Sequence, residues 1–463
     1  MNSCTIIIFG VTGDLGTKKL IPALYKMVAR KKLDKFTFVG VARDEITAQE
    51  MLDRGRKYID GIDEHVWETL KAASHYKKLD FNNLQDYESL NTFVISLEQE
   101  KGIRNRLVHL AAAASFFCGI TKALADSGVV QRLNADDTIW HRIIYEKPFG
   151  HDLTSAIEIN ACIKKSFEEA QIFRIDHFLT KELVGNIALI RFTNCVFEPL
   201  WNNRFIDSVE IILNEPGGIN DRGGYYDNYG ALRDVVQNHM FEILALVAME
   251  APEKLAGDYI REQRARVLKN VEFVDGILGQ YDGYTKEKDV KSNSKTETFA
   301  ALLLRINNPR WAGVPFYLKT GKKLESKQTA IRIKFKKVDC LLTDQCPSDS
   351  NYLTIRMAPD ATFELELNAK IVGRSDRVAP VKMEFCHSCL FGSLVPDAYE
   401  TLYEEVSKGD YSISVRFDEI EYAWKTIDTI YNEKLPLYSY KQGSAGPIEL
   451  EQFSQKHGIR WYS

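Results

Sequence analysis

The chain has 463 residues, with 60 Lys and Arg against 64 Asp and Glu, for a formal net charge of −4. At roughly 100–200 residues per domain this length predicts two to four domains, with a core that needs no disulfide or metal staple. The even charge balance excludes a general nucleic-acid or membrane-surface binder, and 45% hydrophobic content excludes disorder as the main state. Eight cysteines are too few for a disulfide scaffold. The C-x-x-C pair Cys386 and Cys389 lacks a second pair at zinc spacing, because Cys340 and Cys346 stand six apart; structural or exposed thiols in a reducing compartment are expected. The apolar run Thr5–Phe9 begins too early to follow a leader peptide. The stretch Leu107–Ile120, interrupted by His109, is shorter than the ~18–20 residues that span a bilayer. A cytoplasmic protein is therefore expected.

In chain order, Thr5–Phe9 predicts a strand, Lys18–Ala29 a helix, and Phe36–Val41, Arg106–Ala112 and Ile139–Tyr145 further strands. Short apolar runs alternating with helical patterns imply β-α-β units and a buried parallel sheet. Beyond about residue 175 the texture changes. A helical segment, Asp176–Leu189, precedes strand-like runs at Ser208–Leu213, Thr298–Ile306, Ile331–Phe335, Tyr352–Met357 and Thr362–Lys370. Helical patterns occupy Gly230–Glu250, Ala398–Ser407 and Arg416–Tyr431, and Gln442–Pro447 reads as loop. The economical architecture is an α/β Rossmann domain (1–175) followed by an α+β domain (176–463).

The first strand runs into Gly10-Val11-Thr12-Gly13-Asp14-Leu15-Gly16 and then a helix. Glycines there allow a tight turn and let backbone N–H groups approach a pyrophosphate. A glycine-rich turn alone is weak, but its place on the first strand of a β-α-β pattern favours a dinucleotide. The second predicted strand ends at Arg43, where NAD-specific sites usually carry an acid. A guanidinium suits a 2′-phosphate, which favours NADP, although Asp44 and Glu45 follow directly.

Three clusters carry chemistry. Lys147, in Tyr145-Glu146-Lys147-Pro148-Phe149-Gly150, stands at the C-terminal end of a predicted parallel strand, where open α/β sheets present ligand groups. His177 and Lys181, within Arg174–Glu182, are four apart and therefore expected on one helical face, where they can hold a phosphate together; an exposed amphipathic face is the plain alternative. His239 closes Arg233-Asp234-Val235-Val236-Gln237-Asn238-His239. It is either a satisfied core residue or a base that takes a proton from an alcohol, oriented by Asp176 or Asp234.

Taken together, GxxGDL, EKPFG, RIDHxLxKE, GGYxDxxGxxRDVxQNH (Gly223–His239) and VPFxLxxGKxL (Val314–Leu324) resemble the glucose-6-phosphate dehydrogenases. The match continues through Val415–Glu421 and Ala423-Trp424-Lys425 to Gly443–Pro447. The resemblance implies a Rossmann domain and an α+β domain with a large, mainly antiparallel sheet used in dimerisation, hence a homodimer or homotetramer. It implies oxidation of glucose 6-phosphate at C1 by NADP, the first oxidative step of the pentose phosphate pathway, without metal. It places His239 on the catalytic base and Asp176 on its partner. His177 and Lys181 fall on the substrate phosphate, and Lys147, Glu215, Asp234 and Lys322 on sugar or phosphate contacts. Gly10, Thr12, Gly13, Asp14 and Leu15 fall in the coenzyme turn, with Lys147 beside it, and Arg43 falls on the 2′-phosphate. A sugar phosphate is then the small-molecule partner, with no nucleic acid and no membrane. Two departures stand out: Phe178 replaces a usual Tyr, and Ala113-Ala114 replace two prolines. A relaxed hexose dehydrogenase that also accepts glucose and a catalytically silent NADP-binding relative are the competing readings. The joint presence of Asp176, His177, Lys181, Asp234 and His239 speaks against the silent one.

Overall fold

The computed structural model describes residues 3–33, 35–134, 137–338, 350–358, 361–373, 378–386, 389 and 397–462, without the side chains of residues 182 and 183. It divides into two compact units: Met1–Thr180 with Ala256–Arg261 and Pro396–Phe417, and Lys181–Leu255 with Glu262–Val395 and Asp418–Ser463.

The first unit is built on six parallel strands: β1 (Cys4–Phe9), β2 (Phe36–Ala42), β3 (Ser74–Lys78), β4 (Asn105–Leu110), β5 (His141–Tyr145) and β6 (Ile172–Arg174), in the order 3-2-1-4-5-6. This is the doubly wound dinucleotide-binding order, whose crevice lies beyond the strands' C-terminal ends where the order reverses, between β1 and β4. The continuous apolar run of β1 follows from burial on both faces: Ile6 and Ile8 join one core cluster, Ile7 and Phe9 the other.

The turn after β1 needs its glycines. Gly10 has φ +77°, and a Cβ there would lie 2.4 Å from the Ala111 carbonyl oxygen; at Gly16 it would lie 2.1 Å from that of Val11. These close approaches bring backbone, rather than side chains, to the helix that follows. We expect Gly16→Ala to lower stability by about 2 kcal/mol or more, because backbone has to move to admit the methyl group. Thermal denaturation checks this, and an unchanged melting temperature would show that the turn relaxes freely.

The second unit carries a nine-stranded sheet: β7 (Ile206–Asn214), β8 (Val271–Tyr281), β9 (Phe299–Ile306), β10 (Phe316–Gly321), β11 (Gln328–Phe335), β12 (Tyr352–Ala358), β13 (Thr362–Lys370), β14 (Val378–Cys386) and β15 (Leu437–Tyr440). Its order is 14-13-12-11-7-10-9-8-15, and it is antiparallel except where β7 pairs with β10 and β8 with β15. The expected fold class, a Rossmann unit and a mainly antiparallel α+β unit, is what the structure has. No described helix is long and apolar enough to cross a membrane.

Three expectations are corrected. Helix does not begin at Asp176: residues 177–180 form turns, and the helix runs Glu182–Thr193 with Lys181 as its N-terminal cap. His177 and Lys181 therefore do not share a helical face. The physical cause is Asp176, whose Oδ1 accepts the Phe178 N–H at 2.8 Å while its carbonyl accepts the Leu179 N–H at 3.0 Å, closing a tight turn. Second, the helix expected over Gly230–Glu250 is broken at its start, where Gly230 takes φ +67°. Third, Cys386 and Cys389 are joined in a disulfide at the end of β14, rather than standing as thiols. Cys340 and Cys346 lie outside the described residues.

Candidate active site

In the first unit the glycine turn after β1 is held by backbone hydrogen bonds. The Gly10 N–H bonds the Val41 carbonyl at 2.8 Å, tying the turn to β2, and the Gly13 N–H returns to the Gly10 carbonyl at 3.0 Å. Thr12 and Leu15 are half-buried, Asp14 is exposed, and Asp14 pairs with Lys18 at 3.0 Å. Arg43 stands exposed just past β2. The glycine turn, closed to a Cβ at Gly10 and Gly16, fits a pyrophosphate.

Lys147 lies two residues past β5, half-buried. The residue before it is held by a cluster that sequence reasoning missed. Glu146 is buried, its Oε1 3.0 Å from His109 Nε2 on β4, and His109 Nδ1 lies 3.0 Å from the Tyr403 hydroxyl. Burial first, and the Glu146 carboxylate second, push both the Tyr399 and Tyr403 hydroxyls above their ordinary pKa. The one sequence signal was a histidine inside an apolar strand. A buried imidazole between a carboxylate and a hydroxyl is fully satisfied there, and it fixes the backbone from which Lys147 projects. Asp176 is buried, and His177 and Phe178 are half-buried, with ring centroids 5.2 Å apart.

In the second unit two of the expected site residues follow from strand register. Asn214 and Gly321 are paired at the C-terminal ends of the parallel neighbours β7 and β10. The next residues, Glu215 and Lys322, therefore emerge side by side, and their side chains form an ion pair. Lys322 Nζ also sits 5.6 Å above the Tyr226 ring. A buried lysine bridged to an exposed carboxylate is a ready contact for sugar hydroxyls.

Asp234 and His239 lie on the wide, π-helical stretch Leu232–Met240, both buried. Such stretches are rare and cluster at functional sites. Its start is clamped by Glu297: the Leu232 N–H donates to Glu297 Oε1 at 3.0 Å and the Tyr431 hydroxyl donates to the same oxygen at 3.1 Å. Gly230 has to be glycine here, since a Cβ would meet the Glu297 carboxylate at 2.4 Å. Burial, with the Asp234 carboxylate next, raises the Tyr225 hydroxyl pKa, which places this tyrosine beside Asp234. Lys181 occupies the N-cap position of the helix Glu182–Thr193, where its carbonyl accepts the Val184 N–H at 2.9 Å.

A parallel sheet of this strand order, with a glycine turn after its first strand, is the architecture of a dinucleotide-binding protein. Comparison with known proteins specifies which kind. The family model described as "Glucose-6-phosphate dehydrogenase, NAD binding domain" matches residues 7–186, and "Glucose-6-phosphate dehydrogenase, C-terminal domain" matches residues 188–462. The chain is 37% identical to glucose-6-phosphate 1-dehydrogenase of Bacillus subtilis over 99% of this chain and 98% of that protein. It is 36% identical to a cytoplasmic glucose-6-phosphate 1-dehydrogenase of Arabidopsis thaliana, over 99% of this chain and 93% of the relative. Among solved structures, a glucose-6-phosphate dehydrogenase in complex with glucose 6-phosphate superposes with a TM-score of 0.92 at 32% identity, covering 99% of this chain and 98% of the other. The enzyme of Mycobacterium avium superposes with a TM-score of 0.87 at 34% identity, covering 99% of this chain and 98% of that one. The chain belongs to the glucose-6-phosphate dehydrogenase family, and it is an oxidoreductase.

Proposed function

We propose that this enzyme oxidises glucose 6-phosphate at C1 to 6-phospho-glucono-1,5-lactone, with NADP as the hydride acceptor, as the first oxidative step of the pentose phosphate pathway. The observation that carries the reading is similarity along the whole chain; Asp176, His177 and Lys181 stand in the segment Arg174–Glu182, and Asp234 and His239 in Arg233–His239. NADP is preferred over NAD because Arg43, exposed just past the end of β2, offers a guanidinium suited to a 2′-phosphate.

His239 takes the proton of the C1 hydroxyl as the C1 hydride departs, so the C1–O bond becomes the lactone carbonyl. Asp176 fixes the imidazole tautomer and stabilises the imidazolium that forms. Burial of both groups, at 4% and 3% exposure, strengthens that electrostatic help. His177 and Lys181 hold the phosphate. Lys147, Glu215, Asp234 and Lys322 orient the sugar. Gly10, Thr12, Gly13, Asp14 and Leu15 receive the pyrophosphate, with Lys147 beside the nicotinamide end. When bound, the nicotinamide supplies a two-electron acceptor, and no residue here has to change redox state. Phe178 offers no hydroxyl to the phosphate.

We further propose a cytoplasmic homodimer or homotetramer; Val381, Met383 and Phe385 of the sheet-edge strand β14 stay exposed in the single chain and support it.

Phosphate recognition is tested by Lys181→Ala. Loss of one charge-assisted contact, about 1.5–3 kcal/mol, should raise KM for glucose 6-phosphate about tenfold or more. Turnover of unphosphorylated glucose should be unaffected. An unchanged KM for the phosphorylated sugar would remove Lys181 from the phosphate site.

A further inference from the structure

The loop after β2 carries two opposite instructions for a coenzyme ribose. A carboxylate at this place accepts a free 2′-hydroxyl, whereas a guanidinium receives a 2′-phosphate. This chain sets Arg43 and Asp44 side by side, both exposed. The Asp44 carboxylate is held from two directions. Thr12, in the glycine turn, and then Arg54 keep its pKa below the ordinary value. Arg54 Nη1, from the helix Ala48–Arg56, lies 3.2 Å from Asp44 Oδ2. The Tyr76 hydroxyl donates to the Asp44 carbonyl at 2.7 Å and pins the backbone. The neighbouring Lys78 is paired with Glu45. Asp44 is thus drawn toward the glycine turn, the side a dinucleotide occupies, and carries a second guanidinium with it.

We propose that the Asp44–Arg54 pair selects the coenzyme, a role that rests on reading this chain as a nicotinamide dehydrogenase. With an unphosphorylated dinucleotide, Asp44 accepts the ribose 2′-hydroxyl and stays paired with Arg54. With a 2′-phosphate, Arg54 leaves Asp44 and joins Arg43 on the phosphate, while Asp44 repels the incoming anion. The enzyme therefore binds both coenzymes, and Asp44 tempers its preference for NADP.

The test is titration calorimetry of the full chain with ADP-ribose and 2′-phospho-ADP-ribose, which carry no reactive nicotinamide. The wild type should bind both. Asp44→Ala should weaken ADP-ribose about tenfold, the effect of losing one hydrogen bond to a charged group, and should tighten the phosphorylated fragment. Asp44→Asn keeps the size and a hydrogen-bonding oxygen while removing the charge, so it should also tighten the phosphorylated fragment. Arg54→Ala should weaken only the phosphorylated fragment, again about tenfold. Equal shifts of both fragments in either Asp44 variant, or an unchanged phosphorylated fragment in Arg54→Ala, would overturn the selector while leaving the coenzyme reading intact. A wild type that binds neither fragment would overturn the coenzyme reading and the selector with it.

Discussion

His239→Asn should lower kcat for glucose 6-phosphate oxidation by about 10²–10⁴-fold, the contribution of a positioned general base. Asn keeps much of the size and polarity of histidine and has no basic nitrogen. Substrate binding should change little, because phosphate and sugar contacts belong to other residues in the proposed site. The burial of His239 at 4% exposure makes packing loss the rival explanation. A melting temperature near wild type together with a nearly unchanged KM separates chemistry from misfolding. A variant with kcat near wild type would remove His239 from the role of base.

Asp176→Asn should cost a similar order, about 10²–10⁴-fold in kcat, as expected when a carboxylate that orients a catalytic imidazole becomes an amide. The local structure sharpens this expectation. Asp176 Oδ1 accepts the Phe178 N–H at 2.8 Å, and an Asn side chain would keep that bond with its own oxygen. The turn would survive, and the group left for the imidazole would be an NH₂ donor, which selects the wrong tautomer and cannot stabilise an imidazolium. Fold and KM should therefore be preserved while kcat falls. Steady-state kinetics measure this directly, and a kcat within twofold of wild type would show that another group orients His239.

Much of the fold is legible in the sequence where burial is two-sided. Ile6-Ile7-Ile8, a short β-branched run ending at a glycine turn, fits a strand with apolar neighbours on both faces, and core clusters lie on both. Strands without that signature are harder to read. β3 reads Ser-His-Tyr-Lys-Lys and sits at a sheet edge, while β14 alternates apolar and charged residues and remains largely exposed. Neither has the apolar run that marks a buried strand. Local hydrogen bonding misleads at Asp176, because helical spacing from His177 to Lys181 carries no information about a side chain that closes a turn. The Cys386–Cys389 disulfide likewise goes against the cysteine count, which speaks about scaffolds and not about one short loop.

The proposed site residues stand in motifs, and the partners the structure gives them lie outside those motifs. Glu215 and Lys322 become neighbours only through the parallel register of β7 and β10. The clamp on Glu146 joins His109 to Tyr403, nearly 300 positions apart (|i−j| = 294), which no local pattern exposes. Arg54 stands outside these motifs, and only the fold sets its guanidinium on Asp44.

Hydride transfer from C1 of glucose 6-phosphate to a nicotinamide coenzyme is read out by the absorbance of the reduced nicotinamide, with glucose 6-phosphate or glucose, each with NADP or NAD. The highest kcat/KM is expected with glucose 6-phosphate and NADP, and far weaker turnover with glucose. Absence of reduction in all four mixtures would rule out this reaction for the enzyme.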